Sequence, residues 1–118
     1  MMFHFEMHKK PYNPLMDRFV KSQLIMIYKE ILANIAKHSK ASNIWIKFVL
    51  MNEEEYRLEV RDDGNGFDSD KKISKGMGLK SIEDRCTKIR AKCKIKSKVN
   101  QGSEIQIQGY LHDQFVSR

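Results

Sequence analysis

"RDDGNGFDSD" spans residues 61–70, and its reading decides what kind of fold the chain builds. Two aspartates, two glycines one residue apart, a phenylalanine and two further aspartates suit a hairpin turn, a calcium loop or part of a nucleotide site. A hairpin needs a strand directly after it, whereas residues 68–75 (DSDKKISK) are polar and do not alternate. A calcium loop needs oxygen ligands at alternating positions and a closing Glu at its twelfth. Counted from Asp62 the third position is Gly64, counted from Asp63 the fifth is Phe67, and neither count ends on Glu. The stretch therefore belongs to something longer than a turn: residues 62–78 hold four of the six glycines and no strand pattern.

Working outward, residues 56–61 (YRLEVR) and 43–50 (NIWIKFVL) read as two strands joined by the polar turn MNEEE. Residues 2–7 alternate well enough for a short strand, with Phe3, Phe5 and Met7 on one face, and Pro11 and Pro14 mark a loop. Between Asp17 and Ser39 there is neither Gly nor Pro, and Leu24, Ile27, Ile31 and Ile35 recur at helical spacing. That predicts a long amphipathic helix with Asp17 as its N-cap. Downstream, Leu79, Ile82, Cys86 and Ile89 give a second amphipathic helix. Residues 93–99 and 104–111 then alternate as strands around a turn at Asn100–Gln101–Gly102–Ser103. The order β-α-β-β-loop-α-β-β predicts an α+β fold, a two-layer α/β sandwich whose mixed, mostly antiparallel sheet carries helices on one face.

Composition narrows the function classes. The chain has 118 residues, 41% apolar and 31% charged, which suits one domain over residues 1–118 with one hydrophobic core. No apolar run approaches the roughly 18 residues that span a membrane. The N-terminus MMFHFEMHKK lacks a secretory cleavage pattern. Cys86 and Cys93 match neither a zinc nor a CxxC spacing and read as reduced thiols, so a cytoplasmic setting is expected. The net charge of +7 is scattered, with mild clustering at 71–75 and 88–98, and no nucleic-acid module is recognisable. A solvated basic surface is expected, favourable to a polyanion such as a triphosphate, with no direct nucleic-acid partner.

Two polar features carry chemistry. Glu30, Asn34, Lys37 and His38 share one face of the first helix. A polar stripe on an amphipathic helix is usually its solvated side, yet this one is chemically complete for a metal-bound phosphate. Asn offers a neutral oxygen to magnesium, Lys a point charge to phosphate, and Glu a group to orient or deprotonate a nucleophile. The second feature, Gly76–Met77–Gly78–Leu79, lies just before the second helix, where a close backbone and free N–H groups suit an anion. The dinucleotide GxGxxG pattern is not met, because Ser81 takes its third position, and on its own the glycine pair suits a flexible loop equally well.

KEILANIAKHS (29–39), VRDDGNGF (60–67), GMGLKSIEDR (76–85) and QGSEIQI (101–107) occur in this order on these elements. Together they resemble the ATP-binding domain of the GHKL superfamily, the Bergerat fold, and specifically that of bacterial two-component sensor histidine kinases. The KHS box and the short lid resemble the subgroup that signals to response regulators with helix-turn-helix output domains. The resemblance covers roughly residues 2–111 and implies ATP and Mg2+ as cofactors. It implies Asn34 as magnesium ligand, Glu30 as the helix glutamate that acts as base or positions the nucleophile, and Lys37 and His38 beside the phosphates. Asp62 would accept a hydrogen bond from the adenine amino group, as an acceptor-only carboxylate does, with Gly64 and Gly66 making room for the ring. Gly76, Gly78 and Leu79 would belong to the lid and the phosphate-facing helix start, and Gly102–Ser103 to the motif beside adenine.

The implied reaction is transfer of the γ-phosphoryl group by positioning and charge neutralisation. Its acceptor would be a histidine on a separate dimerisation domain, with a response regulator downstream. Only ten residues precede Pro11, too few for that helical hairpin, so the chain is expected to hold the catalytic domain alone, with neither His4 nor His8 as acceptor. Two alternatives share the fold: a free-standing anti-sigma-factor serine kinase, and a module that binds ATP without transferring it. Asp63, Asp68 and Asp70 are expected to be solvated, Trp45 to be a packing or surface residue, and Arg85 either to meet phosphate or to pair with Glu83 or Asp84.

Overall fold

Asp17 starts the first helix as its spacing predicts: one carboxylate oxygen accepts the N–H of Phe19 at 2.8 Å and of Val20 at 3.2 Å. Such a cap contributes about 1 kcal/mol. In the computed structural model, which describes residues 1–8, 16–66 and 79–112 with all their side chains but those of His38 and Ser39, this helix (α1) runs Arg18–Asn34. The expected loop at Pro11 and Pro14 lies outside the described residues.

The Gly- and Pro-free run is helical as far as Ser39, but not α-helical throughout. Beyond Asn34 the backbone widens into a π-helical turn, Ile35–Ser39, and Lys40 closes it in the left-handed region at φ 51°. The N–H of Ile35 is shared between the carbonyls of Ile31 and Leu32. Single π turns inside helices occur frequently at functional sites, and this one holds the lysine and histidine of the KHS box.

The strands are β1 Met2–His8, β2 Asn43–Leu50, β3 Glu55–Asp62, β4 Lys92–Ser97 and β5 Ser103–Tyr110, and the second helix is α2 Leu79–Lys88. They form one five-stranded sheet in the order β1-β2-β3-β5-β4. β1 pairs with β2 in parallel and the other three pairings are antiparallel. This is the expected α+β sandwich. The ends shift by one to two residues, and two shifts matter: Asp62 closes β3 and Ser103 opens β5, directly opposite each other.

Both helical stripes face the sheet. Leu24, Ile27, Ile31 and Ile35 of the first, and Leu79, Ile82, Cys86 and Ile89 of the second, are buried against Ile44, Ile46, Tyr56, Leu58, Val60, Ile105 and Ile107. Each fully buried aliphatic contributes about 1.5–3 kcal/mol, so the stripes and the strand residues they cover together form the stabilising core. Asp17 is tied back by its N–H to the carbonyl of Leu111 just past β5. Phe3, Phe5 and Met7 do share one face, in register with Ile44, Ile46 and Phe48, but remain exposed. Trp45, on the opposite face, is half-buried between the His4 ring at 5.4 Å and the Arg61 guanidinium at 4.3 Å.

Candidate functional site

β3 buries every second side chain from Tyr56 through Leu58 and Val60, and Asp62 is the next in that alternation. A carboxylate is thus carried into the helix-covered side, where it is 3% exposed. Burying such a group demands hydrogen-bond partners. The Ser103 hydroxyl, presented across the β3–β5 pairing, donates to its Oδ2, and the Gly64 N–H donates to Oδ1 at 2.8 Å. A carboxylate has about four acceptor positions, so two donors leave it able to read a further N–H.

The loop that follows is folded onto the β4–β5 turn. Gly66 has φ +64°, and a Cβ there would sit 2.1 Å from the Lys98 carbonyl oxygen and 2.6 Å from that of Gly102. Asn100 N–H donates to the carbonyl of Asn65, and Ser97 Oγ to the carbonyl of Gly102 at 3.0 Å. Gly64 and Ser103 therefore hold the Asp62 carboxylate, while Gly66 and Gly102 pack the loop and the turn together beside it.

The C-terminal end of α1 lies at the same edge of the sheet, because only residues 40–42 separate its π turn from β2, whose Ile44 pairs with Asp62. Glu30 and Asn34 are half-buried there and Lys37 is exposed. Among the described residues the Asn34 side-chain nitrogen is buried without a hydrogen-bond partner. The His38 side chain, Gly76 and Gly78 lie outside what is described, as do Asp68 and Asp70. Leu79 is the first residue of α2 and is buried in the core.

Three residues play parts the sequence did not give them. Ser81, two residues into α2, donates its hydroxyl to Glu30 Oε2 at 2.9 Å. Its place as the misfit in the glycine pattern was the available signal. Among the described residues Arg85 forms no ion pair with Glu83 or Asp84; its Nη1 donates to Gln23 Oε1 at 3.1 Å, four residues on from Ser81 along the same α1–α2 seam. Asp63 is not merely solvated. Its Oδ1 accepts the N–H of Ser42 and of Asn43, and its Oδ2 the Asn43 amide, each at 2.8 Å. The Asn43 side chain, then the backbone N–H groups, hold its carboxyl below the ordinary 3.8.

Known proteins share this fold. The catalytic domain of histidine kinase ThkA matches 96% of this chain and 82% of its own with a TM-score of 0.72 at 16% identity. The Erythrobacter litoralis EL346 blue-light activated histidine kinase matches 95% of this chain and 36% of its own at TM-score 0.74 and 16% identity. In sequence, Sensor protein VraS of Staphylococcus saprophyticus is 33% identical over 94 residues, 79% of this chain and 26% of that protein. Sensor histidine kinase LiaS of Bacillus subtilis is 32% identical over 88 residues, 75% of this chain and 24% of that protein. The chain thus spans about a quarter of the length of these curated relatives. Residues 20–112, from the buried face of α1 past the end of β5, match the family itself, and the chain belongs to the histidine kinase-, DNA gyrase B- and HSP90-like ATPases.

Proposed function

We propose that the chain is the ATP-binding catalytic domain of a sensor histidine kinase, donating the γ-phosphoryl group of ATP to a histidine on a dimerisation domain, from which a response regulator is served. The buried Asp62 carboxylate, held by Ser103 and Gly64 with acceptor capacity to spare, is the observation that carries the reading. An ionised carboxylate accepts and cannot donate, so it selects the amino group of adenine over the carbonyl of guanine. Gly64 would leave room for the ring, and Gly66, whose missing Cβ faces the Lys98 and Gly102 carbonyls, lets the loop close onto the β4–β5 turn beside it. The relatives named above are sensor proteins and favour neither the anti-sigma-factor kinase nor the silent ATP-binding module.

Asn34 suits the magnesium that would accompany the nucleotide. Its amide is half-buried with an unpartnered nitrogen, and a half-turn of the amide exchanges nitrogen for oxygen at no steric cost. Magnesium, once bound, would neutralise phosphate charge. Lys37 and His38 would stand beside the phosphates, Gly76, Gly78 and Leu79 at the lid and helix start, and Glu30 would orient the nucleophile. No helix among the described residues is long and apolar enough to cross a membrane.

A thermal-shift titration with ATP and magnesium tests the reading. At ~100 times its dissociation constant the ligand stabilises by about 2.7 kcal/mol. Asp62→Ala should lose the shift, and Asn34→Ala should lose its magnesium-dependent part. Absence of any shift at millimolar ATP, or equal shifts in both variants and the wild type, would sink the assignment.

A further inference from the structure

We propose that Ser81 is a positioning residue for the Glu30 carboxylate, fixing its orientation from the first turn of α2; the inference rests on the ATP-site reading above. Ser81 Oγ and Glu30 Oε2 stand 2.9 Å apart in a partly buried contact between residues 51 positions apart in sequence. The contact belongs to a seam. Four residues on, Arg85 donates to Gln23 Oε1 at 3.1 Å and lies 3.4 Å from Met26 Sδ. Ser81 and Arg85 share one face of α2, Glu30 and Gln23 one face of α1, and the two contacts hold the helices at a fixed rotation.

A free glutamate rotates about three side-chain bonds, and ordering it has an entropic cost. The Ser81 hydroxyl supplies that ordering before any nucleotide arrives. It engages Oε2, so Oε1 is the oxygen presented to a nucleophile. Because Asn34 lies one helical turn beyond Glu30, the same contact sets the carboxylate's place relative to the candidate magnesium ligand. A small misplacement of such a group is costly in rate, whereas nucleotide affinity, set mainly by the base and phosphate contacts, should hardly change.

The test compares Ser81→Ala with the conservative Ser81→Thr in the full chain, supplied in trans with a dimerisation domain that carries the acceptor histidine, reading γ-phosphoryl transfer from Mg·ATP to that histidine and the nucleotide-free unfolding midpoint. Ser81→Ala should lower kcat about tenfold, within what a positioned acid–base group supplies, with KM changed less than twofold. Ser81→Thr should restore most of it. In a Glu30→Gln background Ser81→Ala should cost no further rate. Without nucleotide, Ser81→Ala and Glu30→Ala should each lower the unfolding midpoint, and the double variant should fall no further than the worse single one. An equal loss of kcat in the Glu30→Gln background, a change in KM alone, or additive midpoint losses would overturn the proposal. Failure of the wild-type chain to take ATP at all would overturn the parent reading, and this one with it.

Discussion

Gly102 lies against Asp62 so closely that a Cβ on it would sit 2.1 Å from the Asp62 carbonyl oxygen. Its φ of +78° is one that L side chains rarely adopt. The approach lets Ser103, the next residue, reach the Asp62 carboxylate. Gly102→Ala is therefore expected to lose at least about 1–2 kcal/mol from the left-handed backbone alone, and to loosen the Asp62–Ser103 contact as β5 is pushed away. Chemical unfolding measures the first effect and ATP titration the second. A variant as stable as the wild type, with unchanged nucleotide binding, would contradict the account of this turn.

Asp63 makes a distinct prediction through pH. Its carboxyl is held below the ordinary 3.8 by the Asn43 amide and the N–H groups of Asn43 and Ser42. A depressed folded-state pKa means stability that is present above 3.8 and lost as pH falls through the folded value. Unfolding midpoints taken from pH 5 down to pH 2 should fall for the wild type, and Asp63→Asn should show a shallower fall over the same range. Identical slopes would mean that Asp63 does not couple the start of β2 to the end of β3.

The contrast between these neighbours shows what was legible in the sequence and what was not. Hydrophobic spacing gave both helices and their buried stripes, since Leu24, Ile27, Ile31 and Ile35 can share only one face at 3.6 residues per turn. Alternation gave the strands, and the family resemblance named Asp62, Gly64, Gly66 and Ser103 together, of which Gly64 and Ser103 bond the Asp62 carboxylate. Hidden from the pattern were contacts between elements far apart in the chain. Asp63 meets Asn43, Ser81 meets Glu30 and Arg85 meets Gln23 only after the sheet order and helix rotation are fixed. The π turn was hidden too, because no residue in IAKHS is diagnostic of a helix that widens in place of ending.

The two cysteines should differ in reactivity. Cys86 is buried on α2 and Cys93 half-buried on β4, and their thiols hydrogen-bond. That bond favours the Cys93 thiolate and lowers its pKa, while the same bond and burial push Cys86 up. The thiolate is the nucleophile, so limiting iodoacetamide near neutral pH should label Cys93 well before Cys86. Peptide mass spectrometry of a short time course reads the order directly. Equal labelling rates, or Cys86 first, would refute the assignment.

Tyr56 carries a prediction that runs against the usual cost of core substitutions. It is fully buried, its ring stacks on Phe48 at 6.0 Å, and among the described residues its hydroxyl has no hydrogen-bond partner. A buried hydroxyl without a partner carries a desolvation cost of about 1–3 kcal/mol. Tyr56→Phe removes that group and keeps the ring, so its stability in urea should equal the wild type's or exceed it by about 1 kcal/mol. The same residue sets an alkaline limit. Burial, with a smaller contribution from Cys86, raises the Tyr56 pKa above the ordinary 10.0. A raised folded-state pKa means stability that is complete below 10.0 and lost as pH climbs from there toward the folded value. Wild-type stability should drop more steeply above pH 10 than that of Tyr56→Phe. Tyr28, also raised by burial, remains in the variant and should leave it a residual slope. A loss of more than about 1 kcal/mol at pH 7 would mean that the hydroxyl makes a favourable bond, since only a satisfied group costs that much to delete.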